Sequence, residues 1–138
     1  MIRAVIDTNV LVSALLSPSG NEAFIVLGLT QRLLAASYSE EMMQEYSEVL
    51  ARSKFSFPPD QISALMRLIR EQGERVVPET VPENLPDPSD QKFLSCAITA
   101  AVDFIVTGNK RHFPREFCGG IPVAGAAELL YFMIPDDA

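Results

Sequence analysis

The stretch "VIDTNVLVSALL", residues 5–16, passes from a strand to a helix across one carboxylate. Residues 2–6 are mostly apolar, which is typical of a strand buried inside a parallel sheet. Beyond Asp7, apolar side chains recur with helical spacing until "SPSG", residues 17–20, interrupts them. Because an ionised carboxylate is costly to bury without a partner, Asp7 either caps the helix or binds a ligand.

The rest of the chain continues to alternate between strands and helices. Further strands are predicted at 32–37, at 75–77, within 103–109 and at the start of 121–133, and further helices at 21–29, 40–52, 61–72, 90–101 and the end of 121–133. Apolar strands that alternate with helices pair in parallel and are covered by helices on both faces. The sequence therefore predicts the α/β class, with a three-layer α/β/α sandwich around a central parallel sheet in one domain, residues 1–138.

The composition limits the possible partners and compartments. Hydrophobic residues make up 48% of the chain and the net charge is −7, so nonspecific attraction to nucleic acids or anionic membranes should be weak. A nucleic-acid partner therefore requires a local basic patch or bound cations. Cys96 and Cys118 are too few for a disulfide framework, and the chain shows neither a signal-peptide pattern nor an apolar run of membrane-spanning length. We therefore expect a cytoplasmic protein with no membrane partner.

Acidic residues fall on the apolar sides of two predicted helices. Glu45 lies at the edge of the apolar stripe of its helix, and Asp90 lies near the centre of the stripe of another. The helix dipole favours an acid in the first turn, but interaction with the dipole does not require that Asp90 lie on the apolar side. For Asp87 an N-cap is the favoured interpretation. Ligands of parallel α/β sheets bind beyond the carboxyl ends of the strands, where Asp7 lies.

Three carboxylates on separate elements, Asp7, Glu45 and Asp90, would repel one another if they met without a counter-charge. A divalent cation removes this conflict, and oxygen-only ligation suits Mg²⁺ or Mn²⁺. Mg²⁺ commonly uses one or two carboxylates together with waters and the phosphate oxygens of a substrate. The residues therefore indicate a metal site for phosphate chemistry, although N-capping alone still accounts for Asp7 taken by itself.

Four stretches together resemble a known family. They are "VIDTNVLVSAL" near the start, "EEMMQEYSEVL" at 40–50, "DPSDQKFLSCA" at 87–97 and "DFIVTGNKRHFP" at 103–114. Their order and spacing are similar to those of PIN domains, and particularly of the VapC-like toxin ribonucleases in that family. The resemblance implies a metal-dependent endoribonuclease that uses Mg²⁺ or Mn²⁺ to hydrolyse phosphodiester bonds of single-stranded RNA. It implies that Asp7, Glu45 and Asp90 are both catalytic and metal-binding.

The same resemblance implies an assembly. VapC-like proteins are toxins of toxin–antitoxin pairs, so the resemblance implies a homodimer and a small antitoxin protein as a partner. The sequence itself shows neither. The apolar stripe of the predicted helix at 61–72 is wider than one core contact needs, but core packing alone is favoured over a dimer or partner surface.

The resemblance fails at one acidic position. Many relatives have an aspartate after "TG", where this chain has Asn109, a weak metal ligand that cannot act as a general base. This difference leaves open whether one or two metals bind, and Asp87 or Asp103 is an alternative for the missing acid. We expect Asn109 to orient a water or a phosphate. We expect Asn9 and Thr107 to hold the metal-binding carboxylates in place through hydrogen bonds.

A basic cluster directly follows the last strand that leads to the expected site. Lys110, Arg111 and Arg115 either contact RNA phosphates or belong to a solvated loop. Phe113 is favoured as a core residue over a base-stacking one. His112, the one histidine of the chain, has no Ser or Cys nucleophile motif beside it, and we assign it no catalytic role.

Other functions compete with a ribonuclease. A catalytically weak PIN-like module that binds RNA or a protein without cleavage is supported mainly by Asn109. A phosphatase of the haloacid dehalogenase class needs a second aspartate at position 9, where this chain has Asn9. A receiver-type regulatory domain needs an aspartate at the end of a middle strand, and the predicted strand at 32–37 ends without one.

Overall fold

The structure, a computed structural model, describes residues 1–133, and an all-parallel sheet lies at its centre. Within those residues the sheet has five strands: β1 (Ile2–Ile6), β2 (Leu34–Tyr38), β3 (Glu74–Arg75), β4 (Phe104–Val106) and β5 (Val123–Ala124). Their order across the sheet is β3-β2-β1-β4-β5. The direction of chain progress reverses between β1 and β4, and parallel α/β sheets bind ligands beside such a switch point.

Helices cover both faces of this sheet. Residues 1–133 contain six α-helices: α1 (Thr8–Leu16), α2 (Asn21–Thr30), α3 (Glu40–Leu50), α4 (Pro59–Gln72), α5 (Gln91–Ala100) and α6 (Ala126–Phe132). Because parallel crossovers are right-handed, the helices between β1 and β3 lie on one face, and α5, on the return path to β4, lies on the other. α6 packs against α2. The predicted three-layer α/β/α sandwich with a parallel sheet is confirmed.

Helix length and composition also bear on membrane insertion. Within residues 1–133, no single helix is both long and apolar enough to cross a membrane. α1 and α2 meet the length and composition test only as a pair, and that pair is bent by 103°.

Most element boundaries agree with the sequence prediction to within two residues. β2 begins at Leu34 rather than at 32, because Arg32 adopts a left-handed conformation (φ 60°) after α2. α4 begins earlier than predicted, at Pro59, since proline suits the first turn of a helix. β3 is shorter than predicted, although the Val76 N–H still donates to the Tyr38 carbonyl at 2.7 Å.

The apolar stripe of α4 is divided between the core and an open groove. Leu65 and Ile69 are buried in the core. Ile62 and Met66 are half-buried and line a groove of about 820 Å³ together with Phe57. Core packing therefore accounts for the inner part of the stripe, and the prediction of core packing alone does not account for the outer part.

Gly73, at the turn from α4 into β3, is expected to tolerate no side chain. A Cβ there would lie 2.4 Å from the carbonyl oxygens of both Ala36 and Ile69, which are backbone atoms of neighbouring elements. Gly73→Ala should therefore lower the free energy of unfolding by about 1–3 kcal/mol, measured by urea denaturation. Gly125→Ala is the matched control, since its Cβ would lie 3.5 Å from the nearest atom, Glu128 Oε1. Equal stability of the two variants would contradict the close packing at this turn.

Candidate functional site

A cavity of about 540 Å³ opens beyond the ends of β1 and β4, at the switch point of the sheet. Acids from three elements line it: Asp7 directly after β1, Glu45 and the exposed Glu48 on α3, and Asp90 directly before α5. The structure therefore brings together the three acids that the sequence places on separate elements. Their roles in catalysis and metal binding stay predictions.

Both carboxylate oxygens of Asp7 accept hydrogen bonds. The sheet register pairs Ile6 with Val106, and the Asp7 N–H donates to the Val106 carbonyl at 2.8 Å. Oδ1 of Asp7 accepts from the Thr8 N–H at 2.8 Å as the N-cap of α1, and Oδ2 accepts from Thr107 Oγ1 at 2.7 Å. Asp7 therefore both caps the helix and lines the cavity, so the two interpretations of this residue are compatible.

The position of Glu45 follows from how α3 is anchored to β1. Ser39 caps α3, with its Oγ accepting from the Met42 N–H at 3.2 Å. Within α3, the Tyr46 hydroxyl donates to the carbonyl of Ile6, the last residue of β1. Burial raises the pKa of Tyr46 well above its usual value, so this hydroxyl stays protonated and remains a donor. The neighbouring Glu45 is thereby held beside the strand end.

Glu45 accepts hydrogen bonds from two other elements. Thr8 Oγ1, at the start of α1, donates to Glu45 Oε2. Lys92 Nζ, on α5, donates to Glu45 Oε1 at 2.8 Å and to the Ser89 carbonyl at 2.7 Å. The Lys92 side chain is only 15% exposed, so its ammonium is the counter-charge of Glu45 in this structure.

Sequence reasoning missed Lys92. A lysine in the first turn of a helix opposes the helix dipole, and Lys92 is the second residue of α5. That unfavourable position is the one sequence signal that could have indicated a role for Lys92 outside its own helix.

Asp90 is the least compensated of the three acids. It is 8% exposed, and its Oδ2 has no hydrogen-bond partner in the described part of the chain. Burial is the main reason why the pKa of the Asp90 carboxyl lies above its usual value; the charge of Asp7 raises it further, and His112 acts in the opposite direction.

Asp87 differs, because its carboxylate accepts from the N–H and the hydroxyl of Ser89 at 2.9 and 2.8 Å. These bonds lower the pKa of Asp87, and its predicted role as an N-cap is confirmed.

Two polar residues hold the segment after β4 against β1 and α1. Thr107 donates to Asp7, as predicted. Asn9 acts differently from the prediction, because its Oδ1 accepts from the Gly108 N–H at 3.1 Å and so holds the backbone of the segment. Asn9 therefore positions the strand end that carries Thr107, and Thr107 contacts the acid.

The side chain of Asn109 is engaged within its own loop. Its Oδ1 accepts from the Arg111 N–H at 3.1 Å and caps a short 3₁₀ helix, Lys110–His112. Its Nδ2 lies 3.2 Å from Nε2 of His112. In this arrangement the carboxamide orients the loop and the histidine ring, whereas the sequence predicts that it orients a water or a phosphate.

The three predicted basic residues after β4 differ in their ion pairing and exposure. Lys110 Nζ pairs with Glu128 Oε1 at 2.5 Å, whereas Arg111 and Arg115 are exposed. Phe113 is buried in the core, as favoured from the sequence, and so is not available to stack on a base.

Two further basic residues line the cavity without having been predicted to do so. His112 places Nδ1 3.5 Å from Asp7 Oδ2, and Arg52 lines the cavity from the end of α3. The signal for His112 was its position within the basic segment that follows β4. The position of Arg52 depends on where α3 ends relative to β1, which periodicity alone does not give.

The carboxylate oxygens that line this cavity fit a divalent cation. Within residues 1–133, no three acidic, histidine or cysteine side chains already stand as a metal-ligand cluster. The carboxylate oxygens of Asp7, Glu45 and Asp90 are the ligands that Mg²⁺ and Mn²⁺ prefer. A buried polar atom without a partner is unusual, and a missing ion is one explanation. Among the described residues that line this cavity, Asp90 Oδ2 is such an acceptor atom.

Replacing Asp90 with asparagine should stabilise the metal-free protein at pH 7. An aspartate has a pKa of about 3.9 in an unfolded chain, and the pKa of Asp90 is higher in the folded protein. The folded state therefore binds this proton more tightly, and stability falls as the pH rises from about 3.9 through the raised pKa. A carboxamide cannot ionise, so the gain from Asp90→Asn should be full at pH 7 and disappear near pH 3.

Urea denaturation with a chelator present, at both pH values, measures this difference. Asp60→Asn is the matched control because Asp60 is exposed in the first turn of α4. A loss of stability on Asp90→Asn at pH 7, or a gain that is the same at both pH values, would contradict the electrostatic account of Asp90.

Comparison with known proteins agrees with this geometry. A sequence model of the PIN domain matches residues 3–111, which include Asp7, Glu45 and Asp90 and extend to the loop after β4. Neither the curated proteins nor the solved structures yielded a match to the chain. PIN domains have a nuclease-type fold, are generally nucleases and generally use divalent metal ions. The matched span covers most of the chain, and the chain belongs to the PIN domain family.

Proposed function

We propose that this PIN domain is a metal-dependent endoribonuclease that hydrolyses phosphodiester bonds of single-stranded RNA. The observation that carries the proposal is the convergence of Asp7, Glu45 and Asp90 on one open cavity at the switch point of the sheet. Structural carboxylates are normally neutralised in the fold, but Asp90 keeps a buried oxygen without a partner in the described residues. A site that leaves one acid uncompensated is better suited to binding a cation than to stabilising the fold.

The three acids are the residues that would hold Mg²⁺ or Mn²⁺. A bound divalent cation supplies a Lewis acid that polarises a phosphodiester and lowers the pKa of a water. Thr107 and the Thr8 N–H fix the orientation of the Asp7 carboxylate. Thr8 Oγ1 and Lys92 do the same for Glu45. Hydrogen bonds of this kind hold metal-binding carboxylates in place.

Basic side chains at the cavity and on the segment after β4 are the candidates for the contacts that an acidic protein needs to bind RNA. The net charge of −7 makes general attraction weak, so local residues must bind the phosphates. Arg52 lines the cavity, and Arg111 and Arg115 are exposed on the segment after β4. Lys110 is a weaker candidate because it is paired with Glu128. The proposed phosphate contacts are therefore the three arginines.

Cleavage should depend on Asp7. Purified protein with Mn²⁺ is expected to cut a fluorescently labelled single-stranded RNA, and Asp7→Asn should slow cleavage by at least about 100-fold because it weakens a direct metal ligand. Asp60→Asn, which changes an exposed acid in the first turn of α4, is the matched control and should cut at the wild-type rate. Fluorescence-monitored cleavage time courses, with and without chelator, provide the measurement.

Two outcomes would contradict the proposal. Cleavage that survives Asp7→Asn would place the active site elsewhere or indicate a contaminating nuclease. RNA binding without cleavage by the wild-type protein would favour the alternative function, a catalytically weak PIN-like module that binds RNA or a protein partner.

We further propose, from the resemblance to VapC-like proteins, that this nuclease is the toxin of a toxin–antitoxin pair, with a small antitoxin as its partner and a homodimer as its own state. Induced expression of the wild-type chain should then arrest growth of a bacterial host. Asp7→Asn, expressed to the same level by immunoblot, should not. Arrest by both proteins, or by neither, would contradict the toxin role.

Light scattering on the purified protein measures the oligomeric state, and a monomeric mass would contradict the homodimer.

A further inference from the structure

His112 lies between an acid of the proposed site and the residue at which the chain departs from the family pattern. Its Nδ1 is 3.5 Å from Asp7 Oδ2, and its Nε2 is 3.2 Å from Nδ2 of Asn109. Nδ1 is buried and has no hydrogen-bond partner within residues 1–133. The 3.5 Å separation is longer than a hydrogen bond, but active-site hydrogen bonds are often long until the ligand is bound. The ring is therefore placed to interact with Asp7 through Nδ1.

The orientation of Asn109 decides which ring nitrogen carries the proton. Its Oδ1 accepts from the Arg111 N–H at 3.1 Å, so its Nδ2 must be the atom that points toward the His112 ring. A carboxamide nitrogen can only donate, so Nε2 of His112 has to accept. The neutral ring then carries its hydrogen on Nδ1, which faces a carboxylate that can only accept.

We propose that His112 is a positioning residue that donates its Nδ1–H to Asp7, and that Asn109 enforces the tautomer that makes this possible. In this arrangement Nδ1 has no lone pair to offer, so His112 is not a fourth metal ligand. It adds a third donor to Asp7, beside the Thr8 N–H and the Thr107 hydroxyl. The assignment of the tautomer does not depend on the proposed function. The effect of His112 on cation binding does rest on the proposed function.

The proposal accounts for asparagine where many relatives have aspartate. A carboxylate at position 109 would accept from Nε2–H, and the neutral ring would then present the Nδ1 lone pair to Asp7 Oδ2. Two acceptors would face each other, and the contact with Asp7 would become repulsive. Asn109 and His112 therefore act as a pair, in which the amide sets the ring that supports the acid.

Nitrogen NMR tests the tautomer directly. The chain has one histidine, so the ¹⁵N signals of its ring need no assignment by mutation. Long-range ¹H–¹⁵N correlation spectra of the full-length protein with chelator, recorded at a pH high enough for the ring to be neutral, should show the hydrogen on Nδ1. Asn109→Asp should place a hydrogen on Nε2, because a carboxylate can only accept. A wild-type ring that carries its hydrogen on Nε2 would overturn the proposal, as would a tautomer that Asn109→Asp leaves unchanged.

A matched pair of variants tests the donor to Asp7. The amide nitrogen of an asparagine at position 112 reaches the place of Nδ1, whereas that of a glutamine reaches the place of Nε2. His112→Gln should weaken Mn²⁺ binding, measured by titration calorimetry, by about tenfold, and His112→Asn should keep it within about threefold of the wild type. Equal losses in the two variants would overturn the role of Nδ1. If the wild-type protein binds no Mn²⁺, the proposed function fails, and the NMR result alone decides whether Asn109 sets the tautomer.

Discussion

The pairing of β1 with β4 is the constraint on which the site depends. It aligns Ile6 with Val106, so the chain leaves both strands at the same height, and the Asp7 N–H donates to the Val106 carbonyl. This bond places Asp7 and Thr107 side by side, 2.7 Å apart between their oxygens. A shift of one residue in either strand would turn its side chain to the other face of the sheet and remove the contact.

Burial and charge repulsion both oppose the assembly of these acids, and neighbouring hydrogen-bond donors compensate the acids unevenly. Glu45 has a lysine and a threonine as donors, and Asp7 has a threonine and a backbone N–H. Asp90 has no such partner for Oδ2 among the described residues, and the pKa of its carboxyl rises mainly because it is buried. Unsatisfied polar groups of this kind are retained in proteins where function requires them, at some expense of stability. The uneven compensation therefore distinguishes Asp90 from an acid that serves only the fold.

The sequence predicts the positions of the acids better than it predicts their partners. Asp7 ends an apolar strand, and Glu45 and Asp90 lie at the edge and near the centre of helical stripes, so periodicity suffices to place them. Partners depend instead on distances between elements: Lys92 contacts Glu45 across 47 positions, only because α5 and α3 approach each other. The Asn109 oxygen is already used by a turn within its own loop. Such short-range hydrogen bonds compete with ligand binding, and composition does not reveal which of the two interactions the side chain makes.

The side-chain donors at this site come from different elements than the acids they support. Thr8 on α1 and Lys92 on α5 both donate to Glu45 on α3, and Thr107 after β4 donates to Asp7 after β1. The hydrogen bonds that orient the carboxylates therefore also join the two halves of the sheet across its switch point. A cation bound by the three acids would strengthen the same connections, because ligands that bind only the folded state stabilise it. Metal binding and the stability of the β1–β4 junction are for that reason expected to be coupled in this protein.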